Sequence, residues 1–187
     1  IAFKEQKVIR QTGLLKKQEP HQKSASIRSD LIIPAATGFL NRSELLMQID
    51  DAFKGKEGIQ SVAIVGIGGS GKTTLARQYG HQQKASVIWE INAETKGSLL
   101  GSFESLAHAL SATAADKSML QALDDIKNSS AKEKKLIEFV KGHLRLHPNW
   151  FLIYDNVEKF ANVQKYYPLD AKTWGQGKVI LTTRDSN

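Results

Sequence analysis

The sequence predicts an α/β fold: a three-layer sandwich with a mostly parallel central sheet. Three observations carry that expectation. Four β-rich apolar runs, at 61–65, 86–91, 150–155 and 179–184, alternate with segments whose apolar residues recur at helical spacing. That alternation is the pattern of parallel strands joined by crossover helices and covered on both faces. The third observation is where the polar residues gather: Asp155-Asn156 closes one run and Thr182-Thr183-Arg184 closes another. In parallel sheets ligands sit beyond the carboxyl ends of the strands, so these residues are expected to converge.

Taken in order, residues 1–33 show no strong period and contain Pro20, Ser24, Ser26 and Ser29. They read as a short helix at most, followed by a linker, with the folded domain at 34–187. The formal charge of +7 is uneven, and residues 1–30 hold seven lysines and arginines against three acids. A basic arm for nucleic acid is one reading of that excess; a solvated linker is the other. No aromatic residue interleaves the charges after Phe3, so base stacking lacks support and the linker is favoured. The chain begins Ile1-Ala2-Phe3 with neither an initiator Met nor a signal-peptide core, and reads as a piece of a longer protein. No apolar run approaches the ~20 residues that span a bilayer. Cysteine is absent, which excludes disulfides and thiolate zinc sites. A cytoplasmic location is expected, and the lack of cysteine is compatible with it without establishing it.

Asn41-Arg42-Ser43-Glu44, followed by Leu45, Leu46, Ile49 and Phe53, fits a helix start with Asn41 as N-cap and Glu44 reaching back from N3. Gly55 and Gly58 stop it. The strand at 61–65 then passes through Gly66-Ile67-Gly68-Gly69-Ser70-Gly71-Lys72-Thr73-Thr74 into a helix running to about Gln83. The loop fits G-x-x-x-x-G-K-[ST] in the required strand–loop–helix setting. Glycines let the backbone wrap a polyphosphate with N–H groups pointing inward, and the helix start adds partial positive charge. Gly66, Gly68, Gly69, Ser70, Gly71 and Thr74 are therefore candidate cradle residues. Lys72 is expected on the β- and γ-phosphates and the Thr73 hydroxyl on Mg²⁺. This makes the fold a P-loop NTPase sandwich.

Beyond a second strand at Ser86–Ile91, Leu99, Leu100, Phe103, Leu106, Ala107 and Leu110 recur with helical period. Further helices are expected at 116–127 and 131–146, closed by Pro148. His143 and His147 lie i, i+4, but the intervening Leu144-Arg145-Leu146 offers no glutamate, so they read as helix-end histidines. Asp155 ends a buried run, where an ionised carboxylate is costly unless compensated. A Mg²⁺ shared with Thr73 would compensate it; the other reading is a cap of the next helix. Asn156 follows where many ATPases carry a second acid, and an amide orients water but is a poor base. Spacing alone leaves Arg184 open between a γ-phosphate contact and an ordinary exposed arginine.

Gly66 to Ala76 resembles the phosphate loop of NB-ARC ATPases, the signalling branch of the STAND P-loop NTPases. Phe151-Leu152-Ile153-Tyr154-Asp155-Asn156-Val157 is similar to that family's Walker B strand, and Val179-Ile180-Leu181-Thr182-Thr183-Arg184-Asp185 to its sensor-1 strand. Phe39-Leu40-Asn41-Arg42 resembles the short element that lines the adenine pocket, with Asn41 where glycine is usual. Trp89-Glu90-Ile91-Asn92-Ala93-Glu94 and the Asp155-Asn156 pair resemble the bacterial and fungal subgroup that carries C-terminal tetratricopeptide repeats. The resemblance implies an ATP/ADP-controlled switch in a larger signalling protein; with Thr73 and Asp155 as metal ligands and an amide at Asn156, Mg²⁺-dependent and slow hydrolysis is expected of it. It assigns Arg184 as the γ-phosphate sensor and makes Leu40 and Arg42 adenine-site residues; with the readings above, Lys72, Asp155, Asn156 and Arg184 form the candidate catalytic group, and Thr73 and Asp155 the metal ligands. It also implies partners: nucleotide, other domains of the parent chain, and a nucleotide-dependent homo-oligomer of the full-length protein. The family's C-terminal helical and winged-helix subdomains and its usual fifth strand are missing from this sequence.

Two alternatives remain in the sequence. A small-molecule kinase shares the phosphate loop and would need an acceptor pocket and lid, for which only the 97–147 helical insertion is available. A nucleic-acid module on the basic arm is the other. A GTPase is disfavoured, because no Asn/Thr-Lys-x-Asp motif occurs.

Overall fold

The computed structural model describes residues 26–33, 42–55 and 57–184. Its five strands are β1 (Ile27–Arg28), β2 (Gln60–Val65), β3 (Val87–Asn92), β4 (Trp150–Val157) and β5 (Gly177–Thr183). They form one sheet in the order β1-β3-β4-β5-β2, with every neighbouring pair parallel. Helix α1 (Ser43–Phe53) precedes β2, and α2 (Lys72–Gln82) crosses from β2 to β3. Helices α3 (Lys96–Leu110), α4 (Ala114–Asp124) and α5 (Ser129–Leu146) fill the long connection from β3 to β4. Short helices α6 (Phe160–Val163) and α7 (Ala171–Trp174) lie between β4 and β5.

Alternation along the strands sorts the side chains into two cores. In β4, Trp150, Leu152 and Tyr154 face α3–α5, joining Phe103, Leu106, Leu136, Val140 and Leu144. Phe151 and Ile153 face the other way, toward Leu75, Ala76 and Tyr79 of α2 and Ile49 and Phe53 of α1. A strand covered on both sides must be apolar at every position, which is why 150–154 reads Trp-Phe-Leu-Ile-Tyr without interruption. Each fully buried side chain of this size contributes roughly 1.5–3 kcal/mol. The insertion helices are well terminated: Thr95 and Thr113 each close a capping box, and Asn128 accepts from the N–H of Ala131. His143 is tied into this packing. Its Nδ1 donates to the Phe139 carbonyl at 2.9 Å, and its Nε2 lies 3.2 Å from Asp116 Oδ1.

Three local expectations change. The sheet has a fifth strand, and it comes from the segment read as linker: Ile27 and Arg28 pair with Val87 and Ile88. Leu31 is buried in the α2-side core, where it packs on Gly80. Two strand residues and one apolar anchor are too few to give a period, so composition alone reads as linker. Helix α1 starts one residue later than expected, with Arg42 at the N-cap and no side-chain cap. Asn41 lies outside the described residues. The Arg42 side chain instead donates to the Gly71 carbonyl at 2.8 Å, which ties the head of α1 to the phosphate loop. The third is the 158–176 connection, where the four-residue helices α6 and α7 are too short to show periodicity.

Candidate functional site

The loop 66–71 leaves β2 and turns sharply into α2. Gly69 and Gly71 have φ of 77° and 81°, a region in which a side chain is strained, so glycine is required at both. The loop start is pinned to the sheet by Gly66 N–H donating to Thr183 O at 3.3 Å. Lys72 crosses the loop, its Nζ donating to Gly66 O at 2.7 Å and Ile67 O at 2.9 Å. Gly68, Gly69 and Ser70 are exposed, and Thr73 and Thr74 are half-buried on the first turn of α2.

Sheet order and pleat bring the distant pieces to this loop. β5 lies between β2 and β4, so Arg184 emerges beside the loop and Asp155 one strand further on. Period-two alternation puts Asp155 on the same side as Phe151 and Ile153, facing α2. There Thr73 Oγ1 donates to Asp155 Oδ1 at 2.7 Å. Thr182, on the same side as Ile180, donates to the same oxygen at 2.6 Å. Thr182 Oγ1 also accepts the Asn156 N–H at 3.0 Å. Asn156 has φ 59° at an irregularity in the β4–β5 register between Tyr154 and Val157. The bulge keeps Asp155 facing α2 while turning Asn156 toward a cleft of about 220 Å³ that it shares with Glu94, Glu158 and Arg184. The Arg184 guanidinium packs on Gly68, so close that a Cβ there would lie 3.6 Å from its central carbon.

Asp155 is 6% exposed and its Oδ1 accepts from two hydroxyls, which carry no charge to balance it. Mg²⁺ takes oxygen ligands and is commonly held by one or two carboxylates together with nucleotide phosphates. Among the described residues no cluster of three or more His, Cys, Asp or Glu forms a protein-only metal cage. The Thr73–Asp155 pair beside a phosphate loop therefore fits Mg²⁺ in chemistry and in ligand number.

The structure thus gathers Lys72, Thr73, Asp155, Asn156 and Arg184 at one end of the sheet, with Arg42 against Gly71. Leu40 lies outside the described residues. Sequence reading gave no role to two polar contacts. One is the Thr182 bridge, for which the signal was its parity with Ile180 along β5. The other is Arg77 of α2, bonded through Nε and Nη2 to Glu90 of β3, each at 2.6 Å. That carboxylate's hydrogen bond, opposed by partial burial, raises the Arg77 pKa. Helical spacing could not pair the two, because the contact joins a helix to a strand. A larger depression, about 700 Å³, opens at the amino ends of the strands among Gln60, Lys84, Asn149 and Lys178. It is remote from the loop, and volume without converging chemistry does not make it the site.

A glycine loop feeding a helix, an acid two strands away and an arginine between them, all at the carboxyl end of a parallel sheet, define a P-loop nucleotide-binding domain. The family model of the NB-ARC domain matches residues 42–187, and the chain belongs to that family. It is a nucleotide-binding signalling module of the STAND type. No curated protein matches the chain. No helix among the described residues is long and apolar enough to cross a membrane.

Proposed function

We propose that this domain is an ATP/ADP-binding switch within a larger signalling protein, hydrolysing ATP slowly with Mg²⁺. The observation that carries the reading is the direct contact of Thr73 with Asp155, which joins the phosphate-loop helix to the acid-bearing strand. In this reading the loop N–H groups and Lys72 hold the β- and γ-phosphates. Arg184, resting on Gly68, reports whether a γ-phosphate is present. Arg42, and by the family resemblance Leu40, are assigned to the adenine side. Bound Mg²⁺ would neutralise phosphate charge, with Thr73 and Asp155 as its protein ligands. Asn156 orients water without serving as a base, which agrees with slow turnover. The Trp89–Glu94 stretch and the Asp155-Asn156 pair support the tetratricopeptide-bearing subgroup, with cytoplasmic location, other domains of the same chain and a nucleotide-dependent homo-oligomer as the corresponding setting.

Calorimetric titration with ATP, ADP and GTP, with and without Mg²⁺, tests the reading. Adenine-selective binding strengthened by Mg²⁺ is expected, and Asp155→Ala makes ATP affinity insensitive to Mg²⁺. Equal affinity for GTP and ATP, or an undiminished Mg²⁺ effect in Asp155→Ala, would count against it.

A further inference from the structure

The residue after Asp155 is an amide, so if ATP is hydrolysed here the proton of the attacking water needs another acceptor. The cleft of about 220 Å³ beside Arg184 is lined by two acidic residues, Glu94 and Glu158, together with Asn156. Glu94 is the better placed. β3 pairs with β4 so that Asn92 stands opposite Asp155, and Ala93 N–H donates to Asp155 O at 2.7 Å. Glu94 is the next residue, leaving the sheet beside the Asp155–Asn156 bulge.

Its backbone is held from both sides. Glu94 N–H donates to Asn92 Oδ1 at 3.1 Å, and Thr95 directly after it caps α3 with Ser98. The side chain is exposed, and among the described residues its carboxylate has no hydrogen-bond or ion-pair partner. A fixed backbone with an uncommitted carboxylate suits a general base, which must be positioned and yet free to take a proton. Glu158 instead follows Val157, which has rejoined β5 opposite Thr183, on the path to α6.

We propose that Glu94 is the general base for ATP hydrolysis in this domain, with Asn156 orienting the water; the inference rests on the nucleotide-switch reading. The water oxygen bonds to the γ-phosphorus and its proton passes to the Glu94 carboxylate. The bond from the γ-phosphorus to the β,γ-bridging oxygen breaks, and its electron pair leaves on ADP. Glu94 then returns the proton to solvent.

The test is single-turnover hydrolysis with protein in excess over labelled ATP, alongside calorimetric affinities for ATP and ADP. Glu94→Gln is expected to slow hydrolysis by about 10²-fold or more, with both affinities within about twofold of the parent. Glu158→Gln is expected to leave both readouts unchanged. An unchanged rate in Glu94→Gln, or the loss appearing in Glu158→Gln instead, overturns the assignment. A parent protein that binds ATP but never cleaves it also overturns it, while leaving the binding switch standing. A parent protein that binds no ATP removes both.

Discussion

The two faces of the sheet are built from different materials. Behind β3, β4 and β5, helices α3 and α5 bury Phe103, Leu106, Leu110, Leu136, Val140 and Leu144 against Trp150, Leu152 and Tyr154. On the other face α1 and α2 cover the sheet with a thinner layer, Ile49, Phe53, Leu75, Ala76 and Tyr79. Much of what holds α2 is polar: Thr73 to Asp155, Arg77 to Glu90, and Tyr79 Oη donating to Asp50 at 2.6 Å. The face that carries the phosphate loop thus adds directional contacts to a small apolar core, and the face opposite has the larger apolar core, with its own buried polar contacts such as Tyr154 Oη to Tyr166 O. The lesson is a division of labour. Groups that must meet phosphate and metal need water and charge around them, so cohesion is concentrated where no chemistry happens.

Substitutions on the two faces should therefore separate stability from binding. The largest effect is expected from Phe103→Ala. Phe103 is fully buried and its ring meets that of Tyr166 at 4.8 Å, edge to face. Its loss should cost about 3–5 kcal/mol in denaturant unfolding, with ATP affinity of the folded protein unchanged. A matching loss of affinity would show that the two faces are coupled. Lys72→Ala should do the opposite, leaving unfolding within about 0.5 kcal/mol. Removing a charge-assisted hydrogen bond to phosphate should weaken ATP binding by about 1.5–3 kcal/mol, read by calorimetry. Retained affinity in that variant would sink the phosphate-cradle role.

Thr182→Val sits between the two regimes. It deletes a hydroxyl that donates to Asp155 and accepts from Asn156 N–H, so about 1–3 kcal/mol of stability should go and Mg²⁺ dependence should weaken with it. A stability loss without any change in Mg²⁺ dependence would make Thr182 purely structural. The smallest effect is a pH dependence on the cohesive face. Burial alone would raise the pKa of Glu133, but hydrogen bonds from Lys165 and Tyr166 outweigh it and hold the carboxyl below its ordinary 4.5. Because the folded value is the lower one, this stabilisation is complete above the unfolded value and is lost as pH falls through the folded one. Thermal melts from pH 6 down to pH 3 (roughly the carboxylate range) should therefore fall less steeply in Glu133→Gln. An identical acid limb in both proteins would remove Glu133 from that role.

How much of this was legible in the sequence follows from the same contrast. Period-two and period-3.6 patterns are written by apolar burial, so the four long strands and helices α3 and α5 were readable to within a few residues. The phosphate loop was readable because its glycines and Lys72-Thr73 are contiguous. Asp155 and Arg184 stood out as polar residues ending apolar runs. The adjoining polar contacts were not readable. Arg77 and Glu90 are thirteen residues apart on different elements, and nothing in their spacing states that they touch. The strand at Ile27–Arg28 and the anchor at Leu31 were hidden for another reason, since each is too short to write a pattern. The bulge at Asn156 left no trace, because a positive φ at an asparagine looks like any other asparagine.

Residues 26–32 are stitched along α2 and the turn that follows it. Ser26 Oγ donates to Ala85 O, Arg28 Nη2 to Gln83 O, His81 Nε2 to Leu31 O, and Arg77 Nη1 to Ile32 O. These attachments form a row that runs back along the helix toward its start. Together with the β1–β3 ladder they fasten this short segment both to the α2 side and to the edge of the sheet, so it cannot leave one without leaving the other.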